Sequence, residues 1–104
     1  PVLTLVKSMA HITGGGLLEN VPRILPEGLG ACFDTTAWEF SPVFSVLQEL
    51  GGAERDEMYR VFNMGLGLVM TCDPSQAKEI VSLVPEAMVV GQVTECEVGP
   101  RVVY

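Results

Sequence analysis

The chain has 104 residues, enough for one domain with a buried core, and 48% of them are hydrophobic, which excludes a disordered protein. Its net charge of −7 disfavours nucleic acid and anionic membranes as partners, because both bind basic surfaces. A small phosphorylated ligand is not excluded, since it needs only a few local donors.

The N-terminal third predicts short elements around a run of three glycines. Residues 1–9 are apolar and fit the end of a helix or a strand, with a slightly better match to a helix face. Residues 10–13 predict a strand end, and residues 17–20 a single helical turn. Pro22 predicts a break or a kink, because proline biases Val21 away from the helical region. Residues 26–28 predict a turn.

The middle of the chain predicts two helices. Ser41 as N-cap and Pro42 as first helical residue predict a helix that ends at the glycines 51–52. A second helix is predicted to begin within residues 54–56, where acidic side chains suit the positive end of the helix dipole. The predicted apolar face of the first helix is Val43, Phe44, Val46, Leu47 and Leu50, and the buried stripe of the second is Met58, Val61 and Phe62.

The C-terminal third predicts three strands and one helix. The strands cover residues 66–72, 87–93 and 101–104, and the helix follows Asp73 and Pro74 with apolar residues at helical spacing. Strands and helices therefore alternate, which predicts a mixed α/β (α+β) domain whose helices cover a mixed sheet.

The strongest candidate site surrounds the three glycines. A strand end, glycines and a helical turn present unpaired backbone N–H groups, an arrangement that can hold an anion. His11, Thr13 and Arg23 flank this loop, and Arg23 offers a charged planar fork. The alternative, which the residues leave open, is a tight turn with a hydrogen-bonded histidine.

A second candidate lies at the end of the predicted second helix. Glu57, Arg60 and Asn63 have helical spacing, which by itself indicates a solvated face with a weak ion pair. The following loop, residues 63–67, contains Gly65 and Gly67, and two glycines between a helix and a strand suggest a close backbone approach.

The cysteines and the histidine do not predict a metal site. The three cysteines are widely spaced and form no C-x-x-C pair, which predicts free thiols in a reducing compartment. With a single histidine, a structural zinc site is not expected.

Three stretches together resemble a known family. AHITGGGLLENVPRILPEGLGA, SPVFSVLQELGG and EMYRVFNMGLGLVM are similar, in this order, to the C-terminal domain of the phosphoribosylformylglycinamidine cyclo-ligases, also called aminoimidazole ribonucleotide synthetases. The similarity covers most of the chain. Its first block and the FNMG block are specific to this enzyme within its superfamily.

This resemblance implies a function that spacing does not show. The family uses ATP to cyclise formylglycinamidine ribonucleotide to aminoimidazole ribonucleotide in purine biosynthesis, as a cytoplasmic homodimer. Its N-terminal half carries most contacts to ATP and Mg²⁺, so we expect residues 1–104 to be the C-terminal domain of a longer enzyme and to be inactive alone. The alternative is a non-catalytic module that binds a phosphorylated ligand or a partner through the same loop.

The resemblance also implies the site residues. His11 is the expected catalytic residue, placed to donate to a phosphate or to orient the formyl oxygen. The residues expected to bind substrate or phosphate are Thr13, Gly14, Gly15, Gly16, Asn20, Arg23, Asn63 and Gly65. For Asn20 and Arg23 the alternative role is to hold the loop.

Overall fold

The computed structural model describes residues 4–39 and 41–104, and it confirms the mixed class of α and β structure. The strands form two sheets rather than the single sheet expected from the sequence. One sheet has the order β1–β3, and the other has the order β4–β2–β5. The strands are β1 (Val6–His11), β2 (Leu29–Phe33), β3 (Leu68–Cys72), β4 (Gly91–Glu95) and β5 (Val102–Val103).

Four α-helices and two 3₁₀ turns connect these strands in the described part of the chain. The helices are α1 (Gly16–Asn20), α2 (Pro42–Gly51), α3 (Arg55–Val61) and α4 (Ala77–Leu83), and the 3₁₀ turns are Pro22–Ile24 and Pro74–Gln76. None of the helices in residues 4–39 and 41–104 reaches the length and hydropathy of a bilayer-crossing helix.

Pairing with β3 makes the N-terminal segment a strand from Val6 onward. The slightly better match of that segment to a helix face was misleading, because β1 pairs antiparallel with β3 from Val6 to His11. Ala10 lies opposite Val69, and both are buried, whereas His11 lies opposite Leu68 on the exposed face. Residues 1–3 of the predicted segment lie outside the described residues.

The second sheet is built around β2, a strand that the sequence did not predict. β2 pairs antiparallel with β4 and parallel with β5, so this sheet is mixed. The guanidinium of Arg101, next to β5, connects this sheet to the loop before β2. It donates hydrogen bonds to the carbonyl oxygens of Leu25, Pro26 and Leu29 at 2.9–3.1 Å.

Helix α2 has the predicted ends but not the predicted burial. The Ser41 hydroxyl accepts a hydrogen bond from the N–H of Val43, and Gly52 ends the helix in a left-handed conformation. α2 buries no residue fully, and Leu50 is 81% exposed. Its main aromatic contact is Phe44 against Phe62, with ring centroids 5.7 Å apart. α2 therefore lies at the edge of the core, against which its Phe44 side chain packs.

Two further expectations are corrected at α3 and at Pro22. In α3, Met58 is buried as predicted, but Val61 is half-exposed and Tyr59 is buried instead, because α1 packs on the Tyr59 side of this two-turn helix. Val21 keeps helical angles, with φ −66° and ψ −43°. Pro22 starts a 3₁₀ turn, where its missing N–H costs nothing.

An aromatic stack joins α3 to the segment after β5. The rings of Tyr59 and Tyr104 lie 4.4 Å apart, and the guanidinium of Arg55 lies 4.8 Å from the Tyr104 ring centroid. The Tyr104 hydroxyl donates a short hydrogen bond to Asp56. Burial of the phenol, followed by this hydrogen bond, raises the pKa of Tyr104 from 10.0 to about 12.

We expect this tyrosine to make the fold sensitive to alkaline pH. Between about pH 10 and 12 the unfolded chain loses the Tyr104 proton while the folded chain keeps it, so the stability contribution is complete below pH 10 and is lost as pH rises through the folded pKa. Tyr104→Phe should lower the free energy of unfolding at pH 7 by about 0.5–1.5 kcal/mol and flatten its decline above pH 10. Urea unfolding between pH 7 and 12 measures both effects. Parallel stability curves for the two proteins would contradict the prediction, since all other alkaline groups are shared.

Candidate functional site

The two sequence blocks singled out above meet at one end of the β1–β3 sheet. β1 ends at His11 and β3 begins at Leu68, directly opposite. The N–H of Ile12 donates to the carbonyl of Gly67 at 2.9 Å, which joins the start of the glycine loop, residues 13–16, to the end of the loop 63–67. The pairing therefore places both loops side by side.

The imidazole of His11 is exposed at this end of the sheet. The side chains of β1 alternate between the two faces of the strand, and Met9 and His11 both lie on the exposed one. The His11 ring has no hydrogen-bond or ion-pair partner within residues 4–39 and 41–104. The alternative of a histidine hydrogen-bonded into its turn is therefore not what the described residues show, and the ring is available to a ligand.

Asn20 holds the glycine loop from inside. Its buried amide nitrogen, Nδ2, lies 3.3 Å from the carbonyl oxygen of Thr13, 3.2 Å from that of Gly14 and 2.9 Å from that of Gly16. Arg23 donates from Nη1 to Asn20 Oδ1 at 3.1 Å, which fixes the amide orientation. Of the two roles that the resemblance left open, these contacts correspond to holding the loop. The spacing of Asn20, four residues after Gly16 on a helical turn, was a signal for this role.

The Asn20 contacts determine where the loop amides point. In a trans peptide the carbonyl and the following N–H point in opposite directions, so carbonyls held toward Asn20 turn the N–H groups of Gly14 and Gly15 away from it. Those two N–H groups have no acceptor among the described residues, whereas Gly16 N–H donates to the carbonyl of Thr13 at 2.9 Å. Two consecutive N–H groups without an acceptor are donors that an anion could use.

The three glycines have different reasons to lack a side chain. A Cβ on Gly16 would overlap the carbonyl oxygen of Tyr59 on α3. Gly15 has φ +98°, in the left-handed region, and its Cβ would approach Glu19. Gly14 has neither constraint, because its Cβ would meet nothing within 4 Å. Among these three glycines, Gly14 alone has no internal reason in the described structure to lack a side chain.

The second loop is a compact turn that supports the first. The Asn63 side-chain oxygen accepts the N–H of Gly65 at 2.9 Å, and Gly65 is exposed with φ +93°. Between them, Met64 is buried at φ +52°, and its carbonyl accepts the indole N–H of Trp38 at 3.0 Å. The Asn63 side chain therefore bonds within its own loop, and a Cβ on Gly67 would meet nothing within 4 Å, so no close approach requires glycine at Gly67.

The acidic and sulfur groups of the described residues do not converge. No three His, Cys, Asp or Glu side chains come together there as a metal site, and all three cysteines are free thiols. Glu57 and Arg60 form the exposed ion pair that the spacing predicted, at 3.2 Å. Such surface pairs contribute little to stability.

Comparison with known proteins places this geometry in context. Residues 1–103 match the family described as AIR synthase related protein, C-terminal domain. The chain is 50% identical over 91 residues to the phosphoribosylformylglycinamidine cyclo-ligase of Bacillus cereus (strain B4264), covering 83% of this chain and 26% of that protein. Cyclo-ligases of Bacillus mycoides (strain KBAB4) and Bacillus anthracis (strain CDC 684 / NRRL 3495) match with the same identity and coverage. The chain spans about a quarter of the length of these relatives.

Alanine substitutions should separate the glycines. Gly16→Ala combines left-handed strain of about 1–3 kcal/mol with a backbone overlap, so we expect a loss of at least about 2 kcal/mol in the free energy of unfolding. Gly14→Ala should change it by no more than about 0.5 kcal/mol, because the new methyl group meets nothing. Chemical denaturation of both variants tests this. Equal losses in the free energy of unfolding for the two variants would contradict the assignment of the steric constraint to Gly16.

Replacing the Asn20 amide should loosen the loop without changing its volume. Asn20→Asp keeps the shape but turns a donor to three carbonyls into an acceptor, so we expect a loss of about 2–3 kcal/mol at pH 7. Amide hydrogen exchange at Gly16 should accelerate in parallel. Arg23→Gln, which removes only the outer contact, serves as the control and should cost about 1 kcal/mol or less. A larger effect for Arg23→Gln than for Asn20→Asp would contradict this hierarchy.

Proposed function

Because this chain belongs to the family of AIR synthase related C-terminal domains, we propose that it is part of a ligase that cyclises formylglycinamidine ribonucleotide to aminoimidazole ribonucleotide. The observation that carries the proposal is the 50% identity to proteins named phosphoribosylformylglycinamidine cyclo-ligase, which covers 83% of this chain. The proposed enzyme is a ligase of purine biosynthesis and works in the cytoplasm.

The proposed reaction depends on ATP. When bound, ATP supplies the phosphoryl group that activates the formyl oxygen, and ring closure by the amidine nitrogen releases it as phosphate. We assign most contacts to ATP and Mg²⁺, and the homodimer interface, to the part of the cyclo-ligases that this chain does not match. In residues 4–39 and 41–104 no acidic cluster offers a magnesium site, so no step is assigned to a metal held here.

In this proposal the chain supplies one wall of the substrate site. The N–H groups of Gly14 and Gly15 donate to phosphate oxygens of the ligand, and the absence of a side chain at Gly14 allows close approach. Asn20 keeps these donors in place before the ligand arrives, so their orientation costs nothing during the reaction.

We assign His11 the role of a donor to the reacting groups. Its ring is exposed beside the glycine loop and is not engaged by the described residues, so an N–H can reach a phosphate or the formyl oxygen. The remaining predicted ligand group, Thr13, has an exposed side chain at the start of the same loop. Asn63 and Gly65 contribute through the neighbouring turn, which supports the loop from the β3 side.

A domain exchange tests the proposal. The matched region of the Bacillus cereus cyclo-ligase is replaced by this chain, and formation of aminoimidazole ribonucleotide from formylglycinamidine ribonucleotide and ATP is measured. We expect turnover by the chimera and none by the chain alone, because a single wall cannot align two substrates or exclude water. In the chimera, His11→Ala should lower kcat about 100-fold or more with an unchanged Tm.

The control for His11 lies on the same strand. Lys7→Ala removes an exposed side chain of β1 that pairs with Asp73 away from the glycine loop, and it should leave kcat unchanged. A chimera that unfolds cooperatively but forms no product would refute the proposed activity. If His11→Ala lowers Tm in step with kcat, the histidine is structural and its assignment is wrong.

A further inference from the structure

A second concave site lies outside the glycine loop. It is a cavity of about 320 Å³, within the lower range of small-molecule sites. Neither His11 nor the glycines line it. The lining residues come from α2, α3 and the loops before α2 and after α3, and they are Thr35, Gln48, Arg55, Met58, Tyr59 and Met64.

Two methionines and a tyrosine form the apolar part of the cavity lining. Met58, Tyr59 and Met64 line the inner end of the cavity, and each is no more than 3% exposed, so only a few of their atoms reach the cavity. Thioethers and aromatic rings pack well against apolar groups. The inner end therefore suits a small apolar group.

The rim carries a guanidinium that no carboxylate neutralises. Arg55 has no acidic partner within ion-pair distance among the described residues, whereas Lys7 pairs with Asp73 and Arg60 pairs with Glu57. This is notable in a chain of net charge −7, where acidic side chains outnumber basic ones by thirteen to six. The positive charge beside the cavity is therefore available to an anion.

The same guanidinium is held in a fixed orientation. Its Nη2 donates to the Thr35 hydroxyl at 3.1 Å, and its Cζ lies over the rings of Tyr104 and Tyr59, 4.8 and 5.8 Å from their centroids. A cation–π contact uses no N–H donor in a hydrogen bond, so four of the five N–H groups stay available to a ligand. Thr35 accepts from Arg55 and keeps its own hydroxyl hydrogen to donate.

The nearby acidic groups do not line the cavity. The carboxylate of Asp34 accepts from the N–H and hydroxyl of Thr36 at 3.0 and 2.5 Å, and these bonds lower its pKa. Asp56 accepts from the Tyr104 hydroxyl. Glu54, the N-cap of α3, is exposed to solvent. These three carboxylates weaken the attraction of the site for an anion, but none of them forms an ion pair with Arg55.

We infer that this cavity binds a small organic anion, in which Arg55 and Thr35 hold a carboxylate or phosphate while the apolar part contacts the atoms of Met58, Tyr59 and Met64 that line the cavity. The planar fork of arginine matches either oxyanion with two parallel hydrogen bonds. The inference is independent of the cyclisation proposed above, since none of the residues assigned to that reaction lines the cavity.

The test titrates the chain with benzoate, phenyl phosphate and the neutral analogue benzamide. Methyl resonances of Met58 and Met64 report on the inner end of the cavity, and those of Met9 and Met88, which are exposed elsewhere, report nonspecific effects. We expect saturable shifts at Met58 and Met64 with at least one anion, and binding of benzamide about tenfold weaker or more. The tighter of the two anions identifies the preferred oxyanion.

Two arginines on the same helix provide a matched pair of variants. Arg55→Gln should weaken anion binding about tenfold or more, and Arg55→Lys should weaken it less. Arg60→Gln removes the same charge from an ion pair outside the cavity, and its effect should stay within about twofold. Equal binding of benzoate and benzamide, equal losses at Arg55 and Arg60, or no shift at the two buried methionines would overturn the inference. If Arg55→Gln unfolds, the comparison of benzoate with benzamide on the unmodified chain still tests whether the cavity prefers an anion.

Discussion

The close approach of Gly16 to the carbonyl of Tyr59 is the contact on which the rest of this structure depends. It lets α1 lie directly on α3, where any side chain at position 16 would collide with backbone. Leu17, at 0% exposure, and Met58, at 2%, belong to the core around this contact. Because Tyr59 also stacks on Tyr104, the same helix connects the glycine loop to the second sheet.

This arrangement divides the tasks within the candidate site between backbone and side chains. Asn20 and Arg23 face inward and stabilise the loop, and the turn at Asn63 stabilises its neighbour. The free N–H groups and the ring of His11 face outward. Under the proposed function, residues that are neighbours in the sequence motif would therefore lie at different distances from the ligand. The sequence motif around the three glycines therefore contains residues that stabilise the loop as well as residues proposed to contact the ligand.

Elements with local signals could be predicted from the sequence, and elements that depend on distant partners could not. α2 was predicted because its Ser-Pro start and Gly-Gly end act within the helix itself. β2 was missed because it becomes a strand only through pairing with β4 and β5, far along the chain. The segment before His11 fits either class, and β3 decides it. In the site, the residues alone suggested the glycine loop, but its junction with the loop 63–67 and the stack of Arg55 on Tyr104 depend on tertiary contacts.

The Asn20 contacts also determine how a ligand would meet the glycine loop. One buried amide holds carbonyls of three residues between positions 13 and 16, so the loop cannot adjust one peptide at a time. A ligand arriving there finds donors that are already ordered, and its binding does not have to offset the conformational entropy of a flexible loop. The same rigidity narrows the range of shapes that fit. Under the proposed function, selectivity at this loop would therefore be determined by the fold before the ligand binds.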